Sequence, residues 1–263
     1  MKITANGITM HYEMDGPESA PVVTLSHSLA TDLSMWDPQV AVLKSGYRVL
    51  RYDTRGHGGT DAPEGPYTLE QLAEDVRALL HALRIPKTHF MGISMGGMIG
   101  QVLALKNPGM LQSLILCDTS SRIPGEALPI WEERIGLAQK QGMDALAEST
   151  MERWFTASFR RKPLPALDKI RGMIRTTPVK GYVGCSRAIM RLNLTERLRE
   201  ITLPSFIIVG EEDPGTPVAA SQVIHEQIKG SELVILKSAA HLSNIEQQDA
   251  FNTAVMAFLK RLA

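Results

Sequence analysis

The sequence predicts an α/β fold in which a mostly parallel, doubly wound sheet carries a helical cap. Short apolar runs alternate with amphipathic helical patterns in the first and last parts of the chain. This alternation stops between about residues 120 and 200, where the apolar spacing is helical. The length of 263 residues suits one large α/β unit with an insertion better than two full domains. We therefore expect an α/β core at 1–120 and 200–263 and a helical cap at 121–199.

The predicted strands begin with a hairpin, because the turn signal Asn6-Gly7 separates two short runs at 2–5 and 8–14. Further strands are expected where the chain is apolar almost throughout, which is typical of strands buried on both faces of a parallel sheet. These runs lie at 22–25, 48–52, 89–91, 113–117, 205–209 and 232–236.

Four core helices are predicted between and after these strands. Residues 69–83 carry apolar side chains at helical spacing. The other three patterns cover 97–107, 218–228 and 248–262. Strands that alternate with helices require crossover connections, so the sheet is expected to be mostly parallel. In the cap, Pro163, Pro165 and Pro178 interrupt the helical patterns, and we find no strong strand signal there.

Composition argues against several classes of partner. Lys and Arg total 28, as do Asp and Glu, so the formal net charge is zero and no basic nucleic-acid footprint is expected. The N-terminal residues lack the apolar stretch of a signal peptide, and no apolar run reaches membrane-spanning length. Cys117 and Cys185 form no metal-ligand pattern. We expect a cytoplasmic protein without metal or cofactor, and without nucleic-acid or membrane partners.

The segment Gly92-Ile93-Ser94-Met95-Gly96 follows a predicted strand and opens a predicted helix. It matches G-x-S-x-G, the nucleophile elbow, in which a serine occupies a sharp strand-to-helix turn. Larger side chains in place of Gly92 and Gly96 would collide in such a turn. A glycine-rich helix start without catalytic meaning would show the same pattern. The strand–turn–helix context favours Ser94 as a nucleophile on an α/β-hydrolase fold.

A serine nucleophile needs a base, and in this fold the order along the chain is Ser, acid, His. His241 follows the last predicted strand and completes that order. Asp213 is the favoured acid, because Asp-Pro directly after an apolar strand is a turn signal. The neighbouring Glu211 and Glu212, and Asp118 after the preceding strand, could also serve as the acid.

The oxyanion of an acyl-transfer reaction would be held by two backbone N–H groups. One belongs to the residue after the nucleophile, Met95. The other is expected in the loop after the third strand, where position relative to Trp36 indicates Leu29.

The chain resembles the 3-oxoadipate enol-lactone hydrolases (β-ketoadipate enol-lactonases) over nearly its whole length. The segments that carry the resemblance are 25–29, 32–36, 49–58, 62–68, 94–97, 153–156, 181–185 and 241–246. The resemblance implies hydrolysis of a small acidic enol-lactone in aromatic catabolism, without a cofactor. Where that family commonly has Asn and Gly in the oxyanion loop, this chain has His27 and Ala30.

An acidic substrate requires a cation in or near the cap. Arg134 and Arg153 are the leading candidates by position, and Arg160 and Arg187 are further ones. For each arginine taken singly, a solvated helix face is the favoured interpretation. Trp131 and Trp154 are candidates for the pocket wall or the cap core, and His27 could bind substrate beside the oxyanion hole.

The motifs predict a serine hydrolase that cleaves a small ester or lactone through an acyl-enzyme. A broad-specificity carboxylesterase would share the triad and differ in pocket polarity. A cofactor-free perhydrolase would also keep Ser, His and Asp. A small-molecule receptor that retains the triad without turnover is the alternative from a different class.

Overall fold

The computed structural model describes residues 1–262, which form an eight-stranded sheet flanked by helices. The strands follow the order β1-β2-β4-β3-β5-β6-β7-β8 across the sheet, and β2 pairs antiparallel with both β1 and β4, while all other neighbours are parallel. Their bounds are β1 Lys2–Ala5, β2 Ile8–Asp15, β3 Val22–Ser26, β4 Arg48–Tyr52, β5 Thr88–Ile93, β6 Leu111–Cys117, β7 Ser205–Gly210 and β8 Glu232–Leu236.

Register brings the carboxyl ends of the central strands to one edge of the sheet. Ser26 of β3 pairs with both Tyr52 of β4 and Gly92 of β5. Farther along the sheet, Ile93 pairs with Cys117. Ligands of open α/β sheets bind in the crevice outside such carboxyl ends. The loops that follow β3, β5, β6, β7 and β8 therefore share one edge.

Six helices pack on the core. They are α1 Asp37–Leu43, α2 Leu69–Ala82, α3 Met95–Lys106, α9 Val218–Gln227, α10 Ser243–Glu246 and α11 Gln248–Lys260. α2 contacts α3, and α9 joins the same layer through the 3₁₀ segment Thr195–Glu200. α1 and α11 contact each other in the second layer. The apolar strands are covered on both sides as a result, which explains their continuous apolar sequence.

The chain between β6 and β7 forms five more helices. These are α4 Leu128–Gln141, α5 Asp144–Trp154, α6 Ala157–Arg160, α7 Pro165–Thr176 and α8 Val179–Ile189. Two of the three prolines mark helix starts, since Pro165 opens α7 and Pro178 precedes α8. The division into core and cap at 120/121 and 199/200 stays a prediction.

α8 packs on the core through its glycines. A Cβ on Gly181 would lie 1.9 Å from the carbonyl oxygen of Gly56, and one on Gly184 would lie 2.6 Å from the Tyr67 ring. Gly184 also accepts a hydrogen bond from the Tyr67 amide at 3.3 Å. Only glycine permits backbones to approach this closely. The segment at 181–185 is thus a contact between cap and core, and of its residues Tyr182 lines the large cavity under the cap.

The α/β class with a mostly parallel sheet is confirmed, and the predicted strands occur within a few residues of their expected ends. The helix predicted at 97–107 begins two residues earlier, because Ser94 itself occupies its N-terminal boundary. Within residues 1–262, none of the helices combines the length and the apolarity that a membrane span requires.

Candidate active site

Ser94 lies at a strained turn between β5 and α3. Its φ of 54° and ψ of −117° fall outside the regions that non-glycine residues ordinarily occupy. A Cβ on Gly92 would lie 2.2 Å from the Gly96 carbonyl oxygen, and one on Gly96 would lie 2.1 Å from the Ser26 carbonyl oxygen. The two glycines therefore permit the turn and seat α3 against the end of β3. The Ser94 amide donates to Cys117 at 2.9 Å, which fixes the turn to β6.

His241 connects the serine to an acid. Its Nε2 lies 2.9 Å from Ser94 Oγ, and its Nδ1 lies 2.8 Å from Asp213 Oδ2. Both distances are within hydrogen-bond range. With Nδ1–H donating to the carboxylate, Nε2 is free to accept the Ser94 proton. The structure brings together the three residues that the sequence motifs selected.

Asp213 is held as a carboxylate by its own loop. Oδ1 accepts the amides of Gly215 at 2.8 Å and Thr216 at 2.9 Å, and Oδ2 accepts the Thr216 hydroxyl at 2.6 Å. Burial opposes the charge, but the nearby His241 and these donors lower the pKa of Asp213 below its usual range. Burial likewise disfavours the His241 cation, yet Asp213 and Asp118 together raise the pKa of His241. The Asp213 carboxylate is thus placed to stabilise a positive charge on the imidazole.

Asp118, which the sequence left open as the acid, makes a different set of contacts. It is fully buried, accepts the Gly210 amide at 2.8 Å and accepts the Ser243 hydroxyl. Burial and the nearby Asp213 raise its pKa well above the usual range. Asp118 thus connects the loop that carries Asp213 to the loop that carries His241, whereas the hydrogen bond to the imidazole comes from Asp213. Glu211 and Glu212, which directly follow β7, are exposed.

The loop after β3 is fastened to the turn after β4 by two buried histidines. His27 donates from Nδ1 to the Ser28 carbonyl at 2.7 Å and accepts the Thr54 amide at Nε2 at 2.9 Å. His57 Nε2 accepts the Ala30 amide at 3.0 Å. Burial lowers the pKa of both rings, that of His57 to about 3 with a further contribution from His27. Both histidines are therefore neutral, and they hold the loop after β3 against the turn after β4.

His27 does not lie where substrate binding was predicted. The ring is fully buried, both of its nitrogens are occupied by backbone groups, and it does not reach the cavity wall. Leu29 and Ala30 do reach that wall. Ala30 adopts a φ of 59°, a left-handed conformation that explains why glycine is common at this position in the family it resembles. Leu29 lines the same cavity as Ser94, and Met95 opens α3 directly after Ser94, but the role of Leu29 and Met95 as oxyanion donors stays a prediction.

A cavity of about 810 Å³ opens above Ser94 and His241. Cap residues from α4, α5 and α8 form one wall, and the loops after β6 and β7 with α9 form the other. Trp131 and Trp154 both line it, and the Trp154 ring lies 6.3 Å from the His241 ring, centre to centre. The volume falls within the range of about 300–1,000 Å³ that is usual for small-molecule sites.

Arg134 and Arg153 line the same cavity, as predicted from their positions. Both are half-buried, and among residues 1–262 neither has a carboxylate partner within ion-pair distance. The Arg134 guanidinium lies 5.7 Å from the Trp131 ring centre, and Arg153 donates to the Thr150 hydroxyl at 2.9 Å. Burial lowers the pKa of both, and with the contribution of Arg134 that of Arg153 falls to about 10. Both remain cationic at neutral pH.

The two further arginine candidates lie outside the cavity. Arg160 is exposed and does not reach the cavity, and Arg187 forms an ion pair with Glu132 on the cap surface. Trp36 is fully buried, as expected for a packing residue.

Glu246 fastens the cap to the histidine loop. Its carboxylate accepts the Ala240 amide at 2.9 Å, next to His241, and the amide and hydroxyl of Thr156 from the cap. The Leu242 amide donates to the Trp154 carbonyl at 3.1 Å and forms a second link. Cap and catalytic loop are therefore joined on both sides of His241.

Sequence reasoning did not select several wall residues. Ser120, Ser121 and Arg122 follow β6 and line the cavity, and their position after the carboxyl end of a central strand is a signal that could have identified them. Thr216 could have been found as the residue that closes an Asp-Pro-Gly-Thr turn. Glu246 carried no local signal, because its partners lie 6 and 90 residues away.

Comparison with known proteins shows the family and the fold. A family model for the alpha/beta hydrolase fold matches residues 21–248. 3-Oxoadipate enol-lactonase 2 of Acinetobacter baylyi is 39% identical over 259 residues, covering 98% of this chain and 96% of that protein. The crystal structure of the enol-lactonase from Burkholderia xenovorans LB400 superimposes with a TM-score of 0.95 at 41% identity, covering 99% of this chain and 100% of that chain. A malate-bound thermophilic esterase from Thermogutta terrifontis superimposes with a TM-score of 0.93 at 28% identity, covering 100% of this chain and 98% of that chain.

Proposed function

The chain belongs to the α/β-hydrolase family, among relatives of the 3-oxoadipate enol-lactonases, and on that premise we propose that it hydrolyses 3-oxoadipate enol-lactone through an acyl-enzyme on Ser94. The observation that carries the substrate class is the pair of half-buried arginines Arg134 and Arg153 in the cavity above Ser94, which have no carboxylate partner among the described residues 1–262. A half-buried cation without a partner is costly and favours an anionic ligand.

The contacts of Ser94 support acyl transfer. His241 accepts the Ser94 proton as Oγ attacks the lactone carbonyl, and Asp213 stabilises the resulting imidazolium. The backbone amides of Leu29 and Met95 would hold the oxyanion. The ring oxygen then leaves as an enolate, which takes up a proton and ketonises. Water attacks the acyl-enzyme with His241 again as base and releases the dicarboxylate.

The arginines account for discrimination between acidic and neutral substrates. The enol-lactone keeps one free carboxylate, and guanidinium groups bind carboxylates with paired, charge-assisted hydrogen bonds. The relative from Thermogutta terrifontis is described with malate, a small dicarboxylate, bound, which is consistent with an acidic ligand in this group of proteins. A general carboxylesterase acts on neutral esters and would not require two cations in the cavity above Ser94.

The deciding measurement is kcat/KM for 3-oxoadipate enol-lactone and for phenyl acetate, a neutral ester, with wild type, Arg134→Gln and Arg153→Gln. We expect each substitution to lower kcat/KM for the lactone by about 10- to 100-fold, because a hydrogen bond to a charged group contributes about 1.5–3 kcal/mol. Hydrolysis of phenyl acetate should change little, since it has no carboxylate.

Arg187→Gln provides the matched control, because this arginine is also in the cap but pairs with Glu132 outside the cavity. It should leave both substrates unaffected. A wild-type preference for phenyl acetate, or equal losses on both substrates in the two cavity variants, would contradict the lactonase assignment and favour a broad carboxylesterase.

A further inference from the structure

The cavity continues beyond the arginines along one face of α4. Ala127, Ile130, Trp131 and Arg134 all line it, and their spacing of three and four residues places them on one side of the helix. Arg134 lies seven residues from Ala127, so the charged end and the far end of this face are about 10 Å apart. The cavity is therefore elongated along α4, with Arg134 at one end of this face.

The far end of the cavity is apolar on both walls, and we call it the apolar limb. On the core side α9 presents Ala219, Ala220 and Val223, again at helical spacing, after Pro217. Ile123 and Pro124 of the loop after β6, Ala127 just before α4 and Ile130 of α4 add further apolar surface. Two charged residues, Arg122 and Glu196, also line the cavity outside the arginine end, and both are exposed.

Two side chains of the apolar limb are unusually exposed for their type. Ile130 is 49% and Val223 is 38% accessible, and they belong to a small set of large apolar residues exposed to this degree. They come from different elements, α4 and α9, and contribute to the same cavity. Apolar side chains that converge on a concave surface are typical of a ligand subsite.

The size of the cavity exceeds what a small lactone needs. Pockets of about 300–1,000 Å³ accommodate drug-sized ligands, whereas the enol-lactone has only about ten non-hydrogen atoms. At about 810 Å³ the cavity leaves the apolar limb unoccupied when such a lactone contacts Ser94 and the arginines.

Substrate chemistry decides which half of an ester would enter the limb. In 3-oxoadipate enol-lactone the free carboxylate is attached through the carbon that bears the leaving oxygen. If the arginines bind that carboxylate, they lie on the alcohol side of the scissile bond. The acyl side then faces the remaining part of the cavity, which is the apolar limb.

We propose that the enzyme also hydrolyses O-acyl esters of small hydroxycarboxylic acids, with the carboxylate at Arg134 and Arg153 and a medium-length apolar acyl chain in the apolar limb. This activity rests on the proposed function, because it uses the same nucleophile and the same arginines. Ser94 Oγ forms a bond to the acyl carbon as the bond to the hydroxy-acid oxygen breaks, and His241 transfers the Ser94 proton to that oxygen. Water then adds to the acyl-enzyme and releases the fatty acid.

The test compares kcat/KM for O-hexanoylglycolate and O-acetylglycolate, which share the carboxylate and differ by four methylenes. Burial of each methylene favours binding by up to about fourfold, so we expect the hexanoyl ester to be preferred by tenfold or more. Ala220→Trp should abolish this preference by filling the limb. Gln222→Trp is the matched control, since Gln222 is exposed on the same helix and does not line the cavity.

Val223→Asp is a second variant, at an exposed position where folding should be retained, and it should reduce the hexanoyl preference by placing a charge in the limb. A wild-type preference for the acetyl ester, or a hexanoyl preference that survives both limb variants, would overturn the proposal. Equal rates on O-hexanoylglycolate and on ethyl hexanoate, which lacks the carboxylate, would also overturn the proposal. Failure of the lactonase assignment is distinguishable, because it would appear as poor hydrolysis of the enol-lactone while the hexanoyl preference and its loss in Ala220→Trp persist.

Discussion

At the scale of single residues, the chemistry depends on the charge state of the Asp213–His241 pair. Asp213 accepts two amides and one hydroxyl from its own loop in addition to the imidazole, so its carboxylate is stabilised without help from solvent. Asp118 contributes a second acidic group but bonds to Gly210 and Ser243 instead of the imidazole. The two acids therefore have separable roles, one in orienting His241 and one in holding two loops together.

The protonation of His241 predicts how kcat/KM depends on pH. His241 must be neutral to act as a base, and its pKa is raised, so kcat/KM should fall on acidification with a midpoint above the usual range for histidine. Asp213→Asn should lower kcat by about 10⁴-fold, because the amide favours the wrong imidazole tautomer. It should also move the acidic limb of the remaining activity to lower pH, since the charge that raises the pKa of His241 is lost.

Asp118→Asn is the matched comparison, since it retains one acceptor oxygen and does not touch the imidazole. It should reduce kcat by less than about tenfold, because an uncharged hydrogen bond contributes about 1 kcal/mol. Rates from pH 5 to 9 with all three proteins would check both statements. A severe loss in Asp118→Asn with near-normal rates in Asp213→Asn would transfer the orienting role to Asp118.

The residues that sequence reasoning selected and those it missed differ in how their partners are spaced. Ser94, Asp213 and His241 each follow a strand, and Ser94 and Asp213 also carry a local turn signal, so order along the chain was enough to group them. His27 also follows a strand, but whether its ring points to the cavity or the interior depends on Thr54, which belongs to another turn. Such contacts between distant loops leave no trace in local spacing.

At the scale of elements, the cap was the part least accessible to sequence reasoning. Strand boundaries followed from continuous apolar runs, because burial on both faces imposes them. In the cap, helices such as α5 and α7 bury only one face, so the sequence indicates helices but not their partners. The contact of α8 with the turn at Gly56 depends on two backbones approaching each other. Local sequence shows only that both positions are glycine.

That contact can be tested through Gly181→Ala. The new Cβ would lie 1.9 Å from the Gly56 carbonyl oxygen, which is backbone and cannot rotate away. We expect the free energy of unfolding to fall by about 1–3 kcal/mol, the usual cost of overpacking. Gly172→Ala on α7 is the control, because nothing lies within 4 Å of its Cβ, and it should be neutral or stabilising by up to about 1 kcal/mol. Equal effects in urea titrations would argue against a tight α8 contact.

At the scale of the whole molecule, the cap and the core form one catalytic unit. The nucleophile, base and acid are on core loops, whereas both candidate carboxylate-binding arginines are on cap helices. Substrate orientation therefore depends on how the cap is held relative to His241. Glu246 contributes to this together with the Leu242–Trp154 hydrogen bond, since its buried carboxylate accepts hydrogen bonds from Ala240 beside the histidine and from Thr156, two residues after α5.

Glu246→Gln tests whether cap and catalytic loop are coupled. The carboxylate accepts three donors, whereas a glutamine amide turns its own NH₂ group toward one of them and leaves buried donors unsatisfied. We expect the free energy of unfolding to fall by about 1–3 kcal/mol and kcat/KM for the lactone to fall at least tenfold. Thr156→Ser keeps the hydroxyl and should remain close to wild type in both respects. Urea unfolding and initial rates should be measured on the same preparations. A Glu246→Gln variant that loses stability but keeps full activity would show that the bridge supports the fold alone, and that the cap arginines are positioned independently of the histidine loop.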